Sequence, residues 1–345
     1  MGKNHSQVSY YRLPVWTVCI FIILPLLISN NIFSSNIDII QSLFSNLKLA
    51  ITPYRVPSIH HQFPKKSSGR IAFTAFKDGS WDLWIMTPDG SSPLQLTKTA
   101  IDERTPCISS DGNEIIYSTS DGSLWMINLI DNTIRKMPLP EGNYGNPVWI
   151  NKTKILFVSF MFRTEKDKVI DDSSLLVLDL EEEAGSDNPY VLIDQTGLQE
   201  WPSIFPVRQN LLYSSSVQGP NLEVTQEIWF YDFITQNGDQ LTLMNANSIQ
   251  GKWSPDGKKI VFSSNKTGNY EIWVHNLSTE KSVRLTDTSC SNTEPCWSPN
   301  GKEIVFISNR RGLREIWKMS DNGEILGVVA PFKEKIECMN PYWGK

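Results

Sequence analysis

Beyond residue 69 the apolar positions form short runs, each cut off by a polar, glycine-containing or proline-containing break. The pattern is clearest near the end of the chain. Lys252–Leu277 reads KWSPDGKKIVFSSNKTGNYEIWVHNL and Cys296–Asp321 reads CWSPNGKEIVFISNRRGLREIWKMSD. Trp253 and Trp297 lie 44 residues apart, as do Trp273 and Trp317. A repeat of that length is too small to bury its own core, so neighbouring copies must stack. Within one copy Ile260, Phe262 and Ser264 share one face of an extended chain, and Val261 and Ser263 share the other. Ser-Pro-Asp-Gly at 254–257 supplies a tight turn: proline presets φ, aspartate bonds its own backbone, and glycine accepts positive φ. Residues 266–269 break the chain again before Glu271–Trp273, and Ser282–Thr286 closes the unit. Four short antiparallel strands per period describe a propeller blade.

The same template recurs six times. Trp84, Trp125, Leu176, Trp229, Trp273 and Trp317 fill the third-strand position, and their regular spacing assigns them to the core between blades. Ile71–Phe73, Ile115–Tyr117, Ile155–Phe157, Leu211–Tyr213, Ile260–Phe262 and Ile304–Phe306 fill the second strand. Ile108, Trp149, Ile204, Trp253, Trp297 and Trp343 fill the first. The sets are out of phase, because the chain enters the ring on a second strand, Arg70–Thr74, and leaves it on a first strand, Asn340–Trp343. The expected fold is therefore an all-β, six-bladed propeller over residues 69–345, closed by its C-terminal strand, which removes both open edges.

The N-terminal part has a different pattern. Leu13–Ile37 carries no charge, with Val15–Ile28 as its apolar centre; Lys3 and Arg12 precede it and Asp38 follows. That asymmetry predicts a transmembrane helix within residues 1–36, its N-terminus cytoplasmic and the ring extracytoplasmic. The apolar centre is short, so a cleaved signal peptide is the alternative. Residues 37–68 are expected to be a linker, with Ile39, Ile40, Leu43, Leu47 and Ile51 at helical spacing.

The propeller residues resemble a known family. WSPDGKKIVFSSNKTGNYEIWVHNL followed by Arg284-Leu285-Thr286, with DLWIMTPDG and LQLT in blade one, looks like the repeat of TolB-type six-bladed propellers. The resemblance implies an extracytoplasmic, non-enzymatic ring that binds lipoproteins of the cell envelope across its top. TolB proteins also carry an α/β domain ahead of the ring, which residues 37–68 are too few to supply.

Composition narrows the chemistry. Net charge is −5 with no basic stripe, so nucleic acid is not an expected partner. Propeller hydrolases of the prolyl oligopeptidase kind add a domain with a G-x-S-x-G elbow, which is absent here. Oligogalacturonate-type lyases need a cluster of histidines on a metal, and the ring has His275 alone. No cofactor or metal is expected, although Asp167, Asp171 and Asp172 crowd one loop. Of the cysteines, Cys290 and Cys338 precede adjacent first strands and could bridge, whereas Cys107 and Cys296 are not expected to meet.

First strands line the central channel, so residues at their starts rim its mouth. These are Glu103, Arg104, Tyr144, Asn146, Glu200, Trp201, Gln250, Glu294 and Asn340. Aromatic, amide and carboxylate groups converging there suit a peptide loop or a saccharide of the cell envelope, bound by a monomeric ring. The alternative is a hydrolase or lyase that uses Glu103, Glu200 or Glu294 as acid and base. Two overlong connections, Phe160–Ser174 and Val217–Gln226, rise on the same face, where loops on a rigid scaffold carry function.

Overall fold

The computed structural model describes residues 69–344 apart from 166–167, 183–188, 206, 209, 219–223, 330–331, 333 and 335. The apolar segment at 15–28 and the linker lie outside the described residues. Among the described residues no helix is long and apolar enough to cross a membrane.

The described chain folds into six four-stranded antiparallel sheets. Blade two runs Glu103–Ile108, Glu114–Thr119, Leu124–Asn128 and Ile134–Lys136, and blades three to six repeat that order. Blade one is built from both ends of the ring: Cys338–Gly344 is its inner strand, paired with Arg70–Lys77. The register joins Arg70 to Gly344, Ile71 to Trp343 and Thr74 to Met339, which is the closure expected from the phase shift.

The second strands read as unbroken apolar runs because each sheet is covered on both faces by neighbouring blades, so alternation with polar residues has no place there. Phe73, Tyr117, Phe157, Tyr213, Phe262 and Phe306, one per blade, are each at most 3% exposed. The tight turns form as the sequence requires. Ser254 Oγ donates to Asp256 Oδ1 at 2.7 Å, and the Lys258 N–H donates to the same oxygen at 3.1 Å. Gly257 has φ +67°, and a Cβ there would lie 2.6 Å from the Phe205 ring, so only glycine fits.

Cys290 and Cys338, which the sequence leaves open to bridging, are both free thiols. Cys338 is buried, with its Sγ 3.7 Å from the Ile336 carbonyl oxygen.

Carboxylates clasp blade to blade. The Glu271 carboxylate accepts hydrogen bonds from Thr286 Oγ1, from the Thr288 N–H at 2.7 Å and from Asn292 Nδ2 at 2.8 Å. Thr286 Oγ1 in turn accepts from the Ile272 N–H at 2.8 Å. Glu227 and Thr242 repeat the arrangement in blade four. The Leu-Thr that ends blades four and five thus ties its own third strand and a third-strand acid together, and that acid holds the connection that follows.

Candidate functional site

Every inner strand carries the same irregularity. Thr105, Asn146, Trp201, Gln250, Glu294 and Asn340 are left-handed, with φ between +47° and +62°. The ladder to the second strand shifts register at the same place in each blade. The following residue is Pro106, Pro147, Pro202, Gly251, Pro295 or Pro341. Proline lacks an N–H and fits a sheet only at an edge or a bulge, and the inner strand offers both. The six left-handed residues and the five prolines line one central cavity. Its volume is about 60 Å³, room for a handful of water molecules and too small for a sugar ring.

Three of the mouth residues are stitched to their neighbours. Gln250 Oε1 accepts from the Glu294 N–H at 2.9 Å, the Glu294 carboxylate accepts from the Asn340 N–H, and Asn340 Oδ1 accepts from the Thr105 N–H at 3.3 Å. Each side chain reaches the backbone of the next blade, from blade five through six and one to two. The stitch ends there, because the short Thr105 hydroxyl pairs with Ser118 Oγ at 2.9 Å. Trp201 has no acceptor to extend. Among the described residues no hydrogen bond links the side chain of Asn146 or Trp201 to another blade's mouth residue. The mouth therefore has a braced arc and an open arc, the latter at blades three and four.

The two overlong hairpins stand over the open arc. In blade three Lys154–Glu165 pairs with Lys168–Asp179, 12 residues each, and in blade four Asn210–Gln218 pairs with Val224–Asp232, 9 residues each. The corresponding strands of blade six have 6. Phe162 is 77% exposed and Val169 69%, and they share one face of the blade-three hairpin because Phe162 opposes Asp171 while Thr164 opposes Val169. The other face turns toward the body of the ring, where Arg163 forms ion pairs with the buried Asp172 and with Asp194. Asp172 is thus engaged by Arg163 in a structural contact, and among the described residues no cluster of metal-ligating side chains occurs. His275 Nδ1 lies 3.0 Å from Ser282 Oγ, in a structural contact within its own sheet.

The structure sorts the nine residues nominated from the sequence. Asn146, Trp201, Gln250, Glu294 and Asn340 line the channel. Glu103 does not: it is 1% exposed and accepts from Thr97 Oγ1 and Thr99 Oγ1, both at 2.8 Å. Arg104 lies on the surface beside Asp102. Tyr144 packs edge-on against Phe157, with ring centroids 5.4 Å apart, beside a separate depression of blade two. Glu200 is held by Gln226 Nε2 at 3.0 Å. Thr105 and Lys252 line the channel and were not nominated. Thr105 had a readable signal, since it precedes a proline at the same place in the repeat as Asn146 and Trp201. Cys107 and Cys296 are both free thiols, on the inner strands of blades two and six, with the strand that carries Tyr342 between them.

Burial dominates the electrostatics. It pushes Glu103 up to about 7, with Asp82 adding repulsion against the two threonine hydrogen bonds, and pushes Asp82 up to about 6. Burial also pushes Glu294 up to about 7, opposed by the Asn340 N–H and by Arg314. A carboxyl whose folded value lies above its unfolded value takes up protons on folding, so its burial is tolerated in acid and costs stability as pH rises. The expected result is a melting temperature that falls between about pH 5 and pH 7.5, and a shallower fall in Glu294→Gln. Thermal melts across that range check it; a stability that rises with pH there contradicts the assignment.

Residues 221–333 match the TolB beta propeller domain family. Comparison with curated protein sequences gives no match. Among solved structures, TolB from Acinetobacter baumannii is similar with a TM-score of 0.67 and 21% identity, over 83% of this chain and 69% of that one. Oligogalacturonate lyase in complex with manganese is similar with a TM-score of 0.51 and 15% identity, over 73% of this chain and 86% of that one. Puromycin hydrolase is similar with a TM-score of 0.54 and 13% identity, over 80% of this chain and 46% of that one. At these identities the solved structures establish the fold and leave the activity open.

Proposed function

We propose that this TolB-like ring is a non-catalytic platform that binds a protein of the cell envelope across its mouth, with contact centred on blades three and four. The open arc carries the reading: Trp201 and Asn146 are unbraced there, and Phe162 and Val169 are exposed on the blade-three hairpin of the same face. A rigid aromatic bordered by unpaired amide and apolar groups is the composition of an interface centre. The small volume below the mouth favours a partner seated on the rim over a saccharide swallowed by the channel. The charge asymmetry about residues 15–28 supports an extracytoplasmic address and a tether.

Less supports the competing reading, a hydrolase or lyase acting through paired carboxylates. Glu103 is locked in a clasp and Glu200 is engaged by Gln226, which leaves Glu294 as the carboxylate on the channel. Paired acid and base chemistry needs two such groups facing one bond.

The test is affinity capture from envelope extract with the wild-type ring and with Trp201→Ala combined with Asn146→Ala. The double variant is expected to bind a captured protein at least about tenfold more weakly, since truncating a central aromatic commonly costs more than 1 kcal/mol. Equal capture by both, or turnover of an envelope glycan or peptide that Glu294→Gln abolishes, contradicts the platform.

A further inference from the structure

Where the second strand of each blade turns into the third, one position of the repeat changes character around the ring. The residue four places after the buried second-strand aromatic is Lys77, Asp121, Met161, Val217, Lys266 and Arg310, from blade one to blade six. It is basic in the consecutive blades five, six and one and in no other. In those three blades the turn is fastened to the start of an inner strand, so the cation stands on the face that carries the mouth. Asn265 Oδ1 accepts from the Asn247 N–H and Asn309 Oδ1 from the Ser291 N–H, both at 2.9 Å, and the Phe76 N–H donates to the Glu337 carbonyl oxygen at 3.0 Å. Asn247, Ser291 and Glu337 each directly precede an inner strand.

Two of the cations lie over indole rings. The Arg310 guanidinium is 4.4 Å from the Trp317 ring centroid, its Nε donates to Ser308 Oγ at 2.9 Å, and its Nη2 donates to Asn292 Oδ1 at 3.0 Å. The Lys77 ammonium is 5.5 Å from the Trp84 ring centroid. Lys266 is exposed, and its ammonium lies 3.9 Å from the Met244 sulfur. All of these partners are uncharged. The acids of the same turns and connections are engaged by other cations: Asp78 by Lys98, Asp287 by Arg284, Glu315 by Arg311 and Glu337 by Arg314. Glu271 is occupied by its clasp, and Glu334 stands between Lys333 and Lys335 in the sequence. Among the described residues no ion pair engages Lys77, Lys266 or Arg310.

A chain of net charge −5 thus keeps three unpaired cations on three adjacent blades of one face. Such a surface steers an oppositely charged partner to itself, and stacking holds the arginine fork in one plane, ready for a carboxylate. We infer that the mouth-side turns of blades five, six and one form a docking surface for a carboxylate-rich protein segment. A flat anionic bilayer fits it less well, because the blade-three hairpin has 12 residues in each strand against 6 in blade six and reaches farther on the same face. The surface is separate from the open arc and stands whether or not blades three and four bind a partner.

The experiment follows the fluorescence anisotropy of a labelled octaglutamate peptide as the purified full chain is added at about 50 mM salt, where screening is weak. Wild type is expected to bind, and its affinity to fall as salt rises. Lys77→Gln, Lys266→Gln and Arg310→Gln combined are expected to weaken binding at least about tenfold. Lys77→Gln with Lys266→Gln leaves the Arg310 packing untouched; it is expected to weaken binding several-fold and to keep the wild-type melt, which guards against a misfolded triple variant. The control combines Lys152→Gln, Lys258→Gln and Lys302→Gln, which removes three exposed cations from turns of the opposite face, and is expected to bind as wild type does. No binding by wild type, an equal loss in the control, or unchanged affinity in the triple variant overturns the docking surface. Co-sedimentation with phosphatidylglycerol vesicles that the triple variant loses, without a matching loss of peptide binding, also overturns it and gives the surface to lipid.

Discussion

Truncation after Glu337 is expected to abolish cooperative folding of the ring. The lost segment contains the whole inner strand of blade one, Cys338–Gly344. It removes Trp343, 4% exposed, from the seam with blade six, and the partly buried Tyr342 from the apolar clusters it packs against. It also breaks every ladder pair from Arg70–Gly344 to Ala75–Cys338, and it deprives Glu294 and Thr105 of their Asn340 partners. Burial of one large side chain contributes about 1.5–3 kcal/mol, whereas whole domains are stable by about 5–15 kcal/mol. Two such side chains, an unpaired strand and a reopened edge together remove most of that margin. Circular dichroism melts of the two chains decide it. A truncated ring that melts within about 2 °C of the full chain contradicts closure through this strand; such a shift is worth no more than about 1 kcal/mol.

Glu271→Ala is the second large effect. The carboxylate is 1% exposed and serves a hydroxyl, a backbone N–H and an amide from the following connection. Its removal strands those donors between blades five and six, and breaking a buried polar cluster of this kind costs about 3–5 kcal/mol. For a ring of this size that is a fall on the order of 10 °C in melting temperature. Glu271→Gln keeps an acceptor oxygen and is expected to lose less, and Thr286→Val, which also strands the Ile272 N–H, to fall between them. A Glu271→Ala ring as stable as wild type removes the clasp from the explanation of how blades adhere.

The clasp also explains where sequence reasoning went astray. In blades four and five the acid is a third-strand glutamate, Glu227 or Glu271. In blade one the same place holds Asp82, one methylene shorter, and the Thr97 hydroxyl turns instead to Glu103 on the next inner strand. Glu103 therefore sits at the start of an inner strand, where a rim residue is expected, while its carboxylate is drawn back between the blades. Proximity in sequence to the mouth could not separate those outcomes, because the difference depends on a side chain in another strand.

The architecture was legible for the opposite reason. It rests on a 44-residue repeat and a phase shift between entry and exit, both of which are properties of order along the chain. Five of the nine nominated residues also lay at the channel, because the left-handed position recurs once per blade. Lys252 escaped notice because it lies two residues past the left-handed position, beyond the strand starts taken to rim the mouth. The open arc was not legible at all. It depends on which mouth side chains are long enough, and acceptors, to reach the next blade.

Blades three and four therefore hold both the irregular hairpins and the unbraced part of the mouth, and binding is expected there. The most direct measurement places a photo-crosslinking residue at Trp201, and separately at Lys258 in the exposed turn of the opposite face. Irradiation in envelope extract is expected to join a protein partner to the ring substituted at position 201 and not to the one substituted at position 258. Crosslinking from position 258 alone contradicts binding across the mouth.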